Sequence, residues 1–201
     1  MVGTSTPERI VTAALPLFVA HGYAGASLEQ VRRTAGVSNG SLYHHFPRRA
    51  DLAAHLLNDG MRQCQDAVLA VVAGNGPAEP VVRSVVTEQL RWVERHADLA
   101  RWVFSDLPDE VLLAAEPDLG EDARRYAVSV GDWLEARSRD GVLVEGSFAV
   151  RHALWLGPAI EFARHWLRGR SRQRPTEAAP DLAEGAWRAL AADRATDRAA
   201  R

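Results

Sequence analysis

Apolar residues recur along this chain at helical spacing almost from end to end, and no run alternates apolar with polar residues cleanly enough for a half-buried strand. The spacing predicts an all-α fold. Thr6 and Pro7 are read as opening the first helix, where proline's missing N–H costs nothing. Ile10, Ala13, Ala14, Leu17 and Phe18 then form one apolar stripe. Pro16, inside that stripe, is expected to kink the helix, and Gly22 to end it. Ser27 and Gln30 have capping-box spacing ahead of Leu28, Val31 and Ala35, and Gly36 stops this second helix after about two turns. Ser38 caps a third helix, with Val37 and Leu42 spaced as a hydrophobic staple.

Pro47 breaks the third helix, and a long apolar-periodic segment runs from Arg49 to Val72. Gly74–Pro77 interrupts the pattern. Further helices are predicted near 79–96, 98–106, 121–139, 147–168 and 181–193. Residues 107–120, with Pro108, Pro117 and Gly120, are read as a short helix and a loop. Residues 169–180 are read as an exposed connection, and 194–201 as a disordered tail. The domains expected are 1–48 and 49–193, and no internal repeat is found.

A hydrophobic content of 47% supplies a core and excludes a disordered chain, while a net charge of -2 gives no bulk signal for a polyanion. The distribution says more. Residues 1–50 hold five arginines against two glutamates, a net +3, so the remainder carries -5. Any polyanion is thus expected at the N-terminal quarter. All 24 basic residues are arginine. The single cysteine, Cys64, excludes an internal disulfide framework and fits a reducing cytosol. With no basic start leading into an apolar run and no stretch of 18 apolar residues, neither secretion nor membrane spanning is expected, and a cytoplasmic location is. His152 and His165 lack partners at metal-ligand spacing, so neither a metal nor another cofactor is expected.

Two short helices joined by a tight glycine-containing turn make a helix-turn-helix candidate. Residues 27–46, SLEQVRRTAGVSNGSLYHHF, resemble the DNA-binding signature of the TetR family of transcriptional regulators, with the resemblance running from about Ile10 to Leu57. It implies an N-terminal three-helix DNA-binding domain and a C-terminal helical domain for effector binding and dimerisation. A reading helix in a major groove about 12 Å wide needs small and hydrogen-bonding residues on its outer face. Ser38, Asn39, Gly40, Ser41, Tyr43 and His44 supply them, with Ser27 at the start of the preceding helix. Asn39 suits an adenine edge, and the resemblance implies phosphate or sugar contacts for Tyr43, His44 and Arg49. Leu42 and Phe46 are expected to face inward on Leu17, Phe18 and Leu28, and of the pair His44 and His45 one is expected exposed and one packed. The plain alternative for each polar residue is a solvated helix face.

Gly36-Val37-Ser38-Asn39-Gly40 also matches the G-x-S-x-G elbow of α/β hydrolases. That elbow needs a strand before the serine, and a capped helix stands there instead. No catalytic residue is assigned, and the chain is not expected to be an enzyme.

One helix-turn-helix contacts few base pairs, so two copies on a palindromic operator are expected, and with them a homodimer. Phe148, His152, Trp155, Ala159, Phe162 and Trp166 form an apolar seam, to which the last helix adds Trp187. The seam is read as the dimer interface, the alternative being packing within one subunit. Trp92, Trp102, Phe104, Tyr126 and Trp133, with Glu88 and His96, are candidates for a small-molecule effector pocket, the alternative being plain core. The function expected is a repressor released from its operator by an apolar or amphipathic effector. The alternative is an architectural DNA-binding protein that needs no ligand.

Overall fold

The computed structural model describes residues 5–192, so the expected tail at 194–201 lies outside the described residues. Among the described residues there are nine helices: α1 Thr6–Gly25, α2 Leu28–Ala35, α3 Asn39–His45, α4 Arg49–Ala73, α5 Ala78–Arg95, α6 Ala97–Val103, α7 Asp109–Arg139, α8 Phe148–Leu167 and α9 Pro175–Leu190. No strand is present among them beyond an isolated antiparallel bridge, Leu143 to Ala191. The chain divides into two compact units. The first takes the residues up to Gln63 together with His96–Asp122, and the second Cys64–Arg95 with the residues from Ala123 on. Helices α4 and α7 each contribute residues to both.

In the first unit α1 is capped by Ser5, one residue earlier than the sequence suggests, through a capping box with Glu8. Gly22 takes φ 68° and ψ 173° and breaks the helix, whose last turn resumes as far as Gly25. Ile10, Phe18, Val31, Leu42, Leu52 and Leu56 are almost wholly buried and form the core. Trp102 of α6 joins them, its Nε1 donating to the Ala53 carbonyl at 3.2 Å and its ring stacking on Phe18 at 4.9 Å. The α4 helix meets α6 at Gly60, where a Cβ would lie 2.4 Å from Val103 Cγ2. Only glycine allows that approach.

In the second unit α9 lies against α5 and α8. Trp155 is buried, donates from Nε1 to the Val82 carbonyl at 3.0 Å and stacks on Trp133 at 5.4 Å. The α9 helix starts at Pro175, so the connection expected through residue 180 is shorter, and Ala178 and Ala179 are buried. Its start is held locally, by Glu177 Oε2 accepting the Arg174 N–H at 2.9 Å, and by a partner remote in sequence. The Glu94 carboxylate of α5 accepts from the Thr176 N–H at 3.0 Å and the Thr176 hydroxyl at 2.7 Å, and it pairs with Arg174. Burial alone would raise the Glu94 pKa. Its bonds to Thr176 and its pairing with Arg174 outweigh that and hold it below the usual carboxylate value.

Residues 109–139 are one helix and not the short helix and loop expected around Pro117 and Gly120. Proline in a helix orphans the carbonyl four residues earlier. Pro117 is exposed and Leu113, which bears that carbonyl, is 75% exposed, so this part of the helix faces water. Pro16 with Thr12, Pro158 with Leu154 and Pro180 with Thr176 follow the same pattern of exposed pairs. Solvent-side proline bends a helix and need not end it, which also accounts for Pro16 inside α1.

Candidate nucleic-acid interface

The α2–turn–α3 segment is held by local caps and one long-range clamp. Ser27 accepts from the Gln30 N–H at 3.2 Å, and Gln30 Oε1 accepts from the Ser27 N–H at 2.9 Å. Gly36 closes α2 in the left-handed region at φ 63°, ψ 41°, where a side chain would be strained. The clamp comes from α1: Arg9 Nη2 donates to the carbonyls of Ala35 at 2.6 Å and Gly36 at 3.0 Å. Sequence reasoning missed this residue, because its partners lie 26 and 27 positions away and no local pattern marks them.

Ser38 then caps α3, its hydroxyl accepting from the Ser41 N–H at 3.2 Å. Leu42 and Phe46 are buried and anchor the helix as expected, with Phe46 meeting His55 edge-on at 5.6 Å. Leu17 and Leu28, expected to complete that packing, are only half-buried. The opposite face is open. Ser38, Asn39, Gly40 and His44 are exposed, Tyr43 is 51% exposed, and Ser41 is half-buried. Ser27 is also exposed. His45 is exposed too, against the expectation that one of the two histidines packs, and its ring meets His44 edge-on at 5.1 Å. Both lie in the last turn of α3, beyond the buried Leu42 that anchors it.

The arginines are more committed than their sequence positions suggest. Arg48 pairs with Asp51, and Asp51 Oδ2 accepts the Arg48 N–H at 2.9 Å, so α4 is capped from its third residue although it lacks a small capping residue. The pairing with Arg48 holds the Asp51 pKa below the ordinary value. Arg49 lies with its guanidinium 4.1 Å from the Tyr23 ring centroid and within 3.4 Å of the Ala24 and Ala26 carbonyls, capping the end of α1. Arg33 is 69% exposed, with only a 3.4 Å contact to Glu29.

The effector candidates divide between the units. His96, Trp102 and Phe104 belong to the first, and Glu88, Trp92, Tyr126 and Trp133 to the second. Trp92, Tyr126 and Trp133 are buried, Glu88 pairs with Arg91, and His96 is exposed. Tyr126 Oη lies 3.0 Å from His152 Nε2. Burial raises the Tyr126 pKa and lowers that of His152, so both stay neutral near pH 7, and it pushes the Cys64 thiol up to about 12. Of the dimer candidates, Trp155 and Ala159 go into the core of their own unit, while Phe148, His152, Phe162, Trp166 and Trp187 are half-buried. Val150 at 57% and Leu154 at 41% exposure form the open apolar face of α8, which the seam reading did not include. No group of three or more potential metal ligands exists among the described residues, and no helix there is long and apolar enough to cross a membrane.

Residues 10–56 match the family model for bacterial regulatory proteins of the tetR family. That match covers about a quarter of the chain, the helices α1 to α3 and the start of α4. Among curated relatives, the HTH-type transcriptional repressor AcnR of Corynebacterium diphtheriae is 29% identical over 110 residues, 55% of this chain and 51% of that protein. The chain thus spans about half the length of that curated relative. Among solved structures, the fatty acid degradation regulator FadR from Bacillus halodurans superposes with a TM-score of 0.77 at 17% identity, covering 93% of this chain and 97% of that one. FadR from Bacillus subtilis, solved in complex with stearoyl-CoA, superposes at 0.74 with 16% identity, covering 90% and 97%. At such identities these structures establish a shared fold.

Proposed function

We propose that this chain is a DNA-binding transcriptional regulator that acts as a homodimeric repressor on a palindromic operator and is released by a small apolar or amphipathic effector. The observation that carries the reading is α3: a face of Ser38, Asn39, Gly40, Tyr43 and His44 open to solvent, on a helix pinned by buried Leu42 and Phe46. Small polar groups on a rigid support are what base-edge recognition requires. The second copy that two half-sites need has an apolar surface in Val150 and Leu154 of α8, beside Gly157, where nothing lies within 4 Å of a would-be Cβ. Repression and the acyl-type effector follow the names of AcnR and of the stearoyl-CoA complex.

Fluorescence anisotropy with duplex DNA from the gene's own upstream region tests the reading. Binding should be saturable and sequence-dependent, and should weaken with salt at a slope of about −0.9 per phosphate neutralised. Equal affinity for scrambled DNA would overturn it. A long-chain acyl-CoA titrated into the complex is the first effector to try. The aromatics of the second unit pack as core, with Trp133 on Trp155 and Tyr126 on His152, and this favours the alternative of a ligand-independent architectural protein. Failure of every effector class to lower operator affinity would select it. Ser38 as a nucleophile has no support, since its hydroxyl serves the α3 cap and α2, not a strand, precedes it.

A further inference from the structure

The first unit contains a cleft that the DNA-binding reading does not use. Where α1 breaks at Gly22, the chain opens beside the end of α6 and leaves a cavity of about 180 Å³ walled by Val19, Gly22, Trp102, Ser105, Asp106 and Leu107. Gly22 is at φ 68° with nothing within 4 Å of a would-be Cβ, so that wall is kept low by a residue no other can easily replace. The floor is aromatic. Phe18 stacks on Tyr23 at 6.1 Å and on Trp102 at 4.9 Å, and all three rings are otherwise buried.

The rim decides the sign of charge that fits. Arg101 lines the cleft, but Asp98 holds its guanidinium at 2.6 Å and offsets its charge. Asp106 is exposed, and no hydrogen bond or ion pair engages its carboxylate among the described residues. An aromatic floor under an uncommitted carboxylate favours a cation, attracted by the ring faces and by the charge together. Size limits it further, since an apolar cavity of about 150 Å³ takes one benzene. We infer that this cleft binds a single-ring organic cation, with the ring on Trp102 and the ammonium at Asp106. The site lies in the unit that carries α3, apart from the effector candidates of the second unit, and it does not depend on the DNA-binding reading.

The test is a titration of the full chain with benzylamine, benzyl alcohol and benzoate, read by amide chemical shifts. Benzylamine should give saturable shifts at Val19, Gly22, Ser105 and Asp106. Benzyl alcohol and benzoate should bind about fivefold or more weakly, the upper range for a solvent-exposed charge pair. Asp106→Asn, at an exposed position, should abolish the preference for the amine while leaving the spectrum otherwise intact. Val19→Phe, which fills the cleft from a half-buried position, should remove binding of all three. Benzoate binding as tightly as benzylamine, an Asp106→Asn variant that keeps the preference, shifts confined to the second unit, or no saturation up to the solubility of the amine would each overturn the proposal.

Discussion

Replacing Arg9 by methionine separates a residue that aims the reading helix from one that touches DNA. Methionine keeps an unbranched stem and removes the guanidinium, leaving the Ala35 and Gly36 carbonyls without their donor. Hydrogen bonds to a charged group are worth roughly 1.5–3 kcal/mol each. Arg9 is exposed and one of its two bonds is solvent-accessible, so screening reduces the pair to about 1–1.5 kcal/mol. The domain should melt a few degrees lower. Operator affinity should fall about five- to tenfold, because the turn that sets α3 against α2 is fixed less often in its binding geometry. The slope of log affinity against log salt should stay as in the native chain, since no phosphate contact is lost. Anisotropy titrations at four or five salt concentrations read both quantities. A slope shallower by about 0.9 would mean that Arg9 neutralises a phosphate, and would refute the clamp argument.

Three further outcomes follow from the packing. Gly60→Ala gains about 1 kcal/mol of helix propensity, but its methyl would sit 2.4 Å from Val103 Cγ2 and 3.0 Å from Leu99 Cγ; overpacking of roughly 1–3 kcal/mol should win, and a raised melting temperature would contradict this. Glu94→Ala removes the long-range part of the α9 cap, leaving the Arg174–Glu177 bond, and should cost about 1 kcal/mol, with amide exchange accelerating at Thr176–Ala178 before it does elsewhere in α9. Burial lowers the His152 pKa below its ordinary 6.5, so the unfolded chain takes up its proton first as pH falls. Its contribution is therefore complete above about pH 6.5 and is lost as pH drops toward the folded value, and denaturant titrations should show a shallower acid-side slope in His152→Gln.

What could be read from the sequence was local. Ser27 with Gln30, Gly36, and Ser38 ahead of Leu42 each work within one helical turn of their partners, so adjacent residue types suffice to place α2, the turn and α3. The loop read within residues 107–120 and the helix start read at residue 181 differ from the structure for a common reason. Whether a proline or a weak cap ends a helix depends on what surrounds the orphaned group, and here that is water at Leu113 and the Glu94 carboxylate at Thr176. The aromatics misled in a similar way. Trp102 and Trp92 both stand on helices near the middle of the chain, but the fold sends α6 to the first unit and α5 to the second. Arg49 and Trp155 engage the Tyr23 ring and the Val82 carbonyl, partners that were invisible without the fold.

Because Phe18 in the N-terminal quarter leans on Trp102, a reading head cut from this chain after its third helix would carry a raw aromatic wound. Exchange of heads between relatives, by recombination or by an engineer, would have to move α6 as well. A graft spliced near residue 48 should therefore be clumsy and sticky even when every residue proposed to read bases is retained.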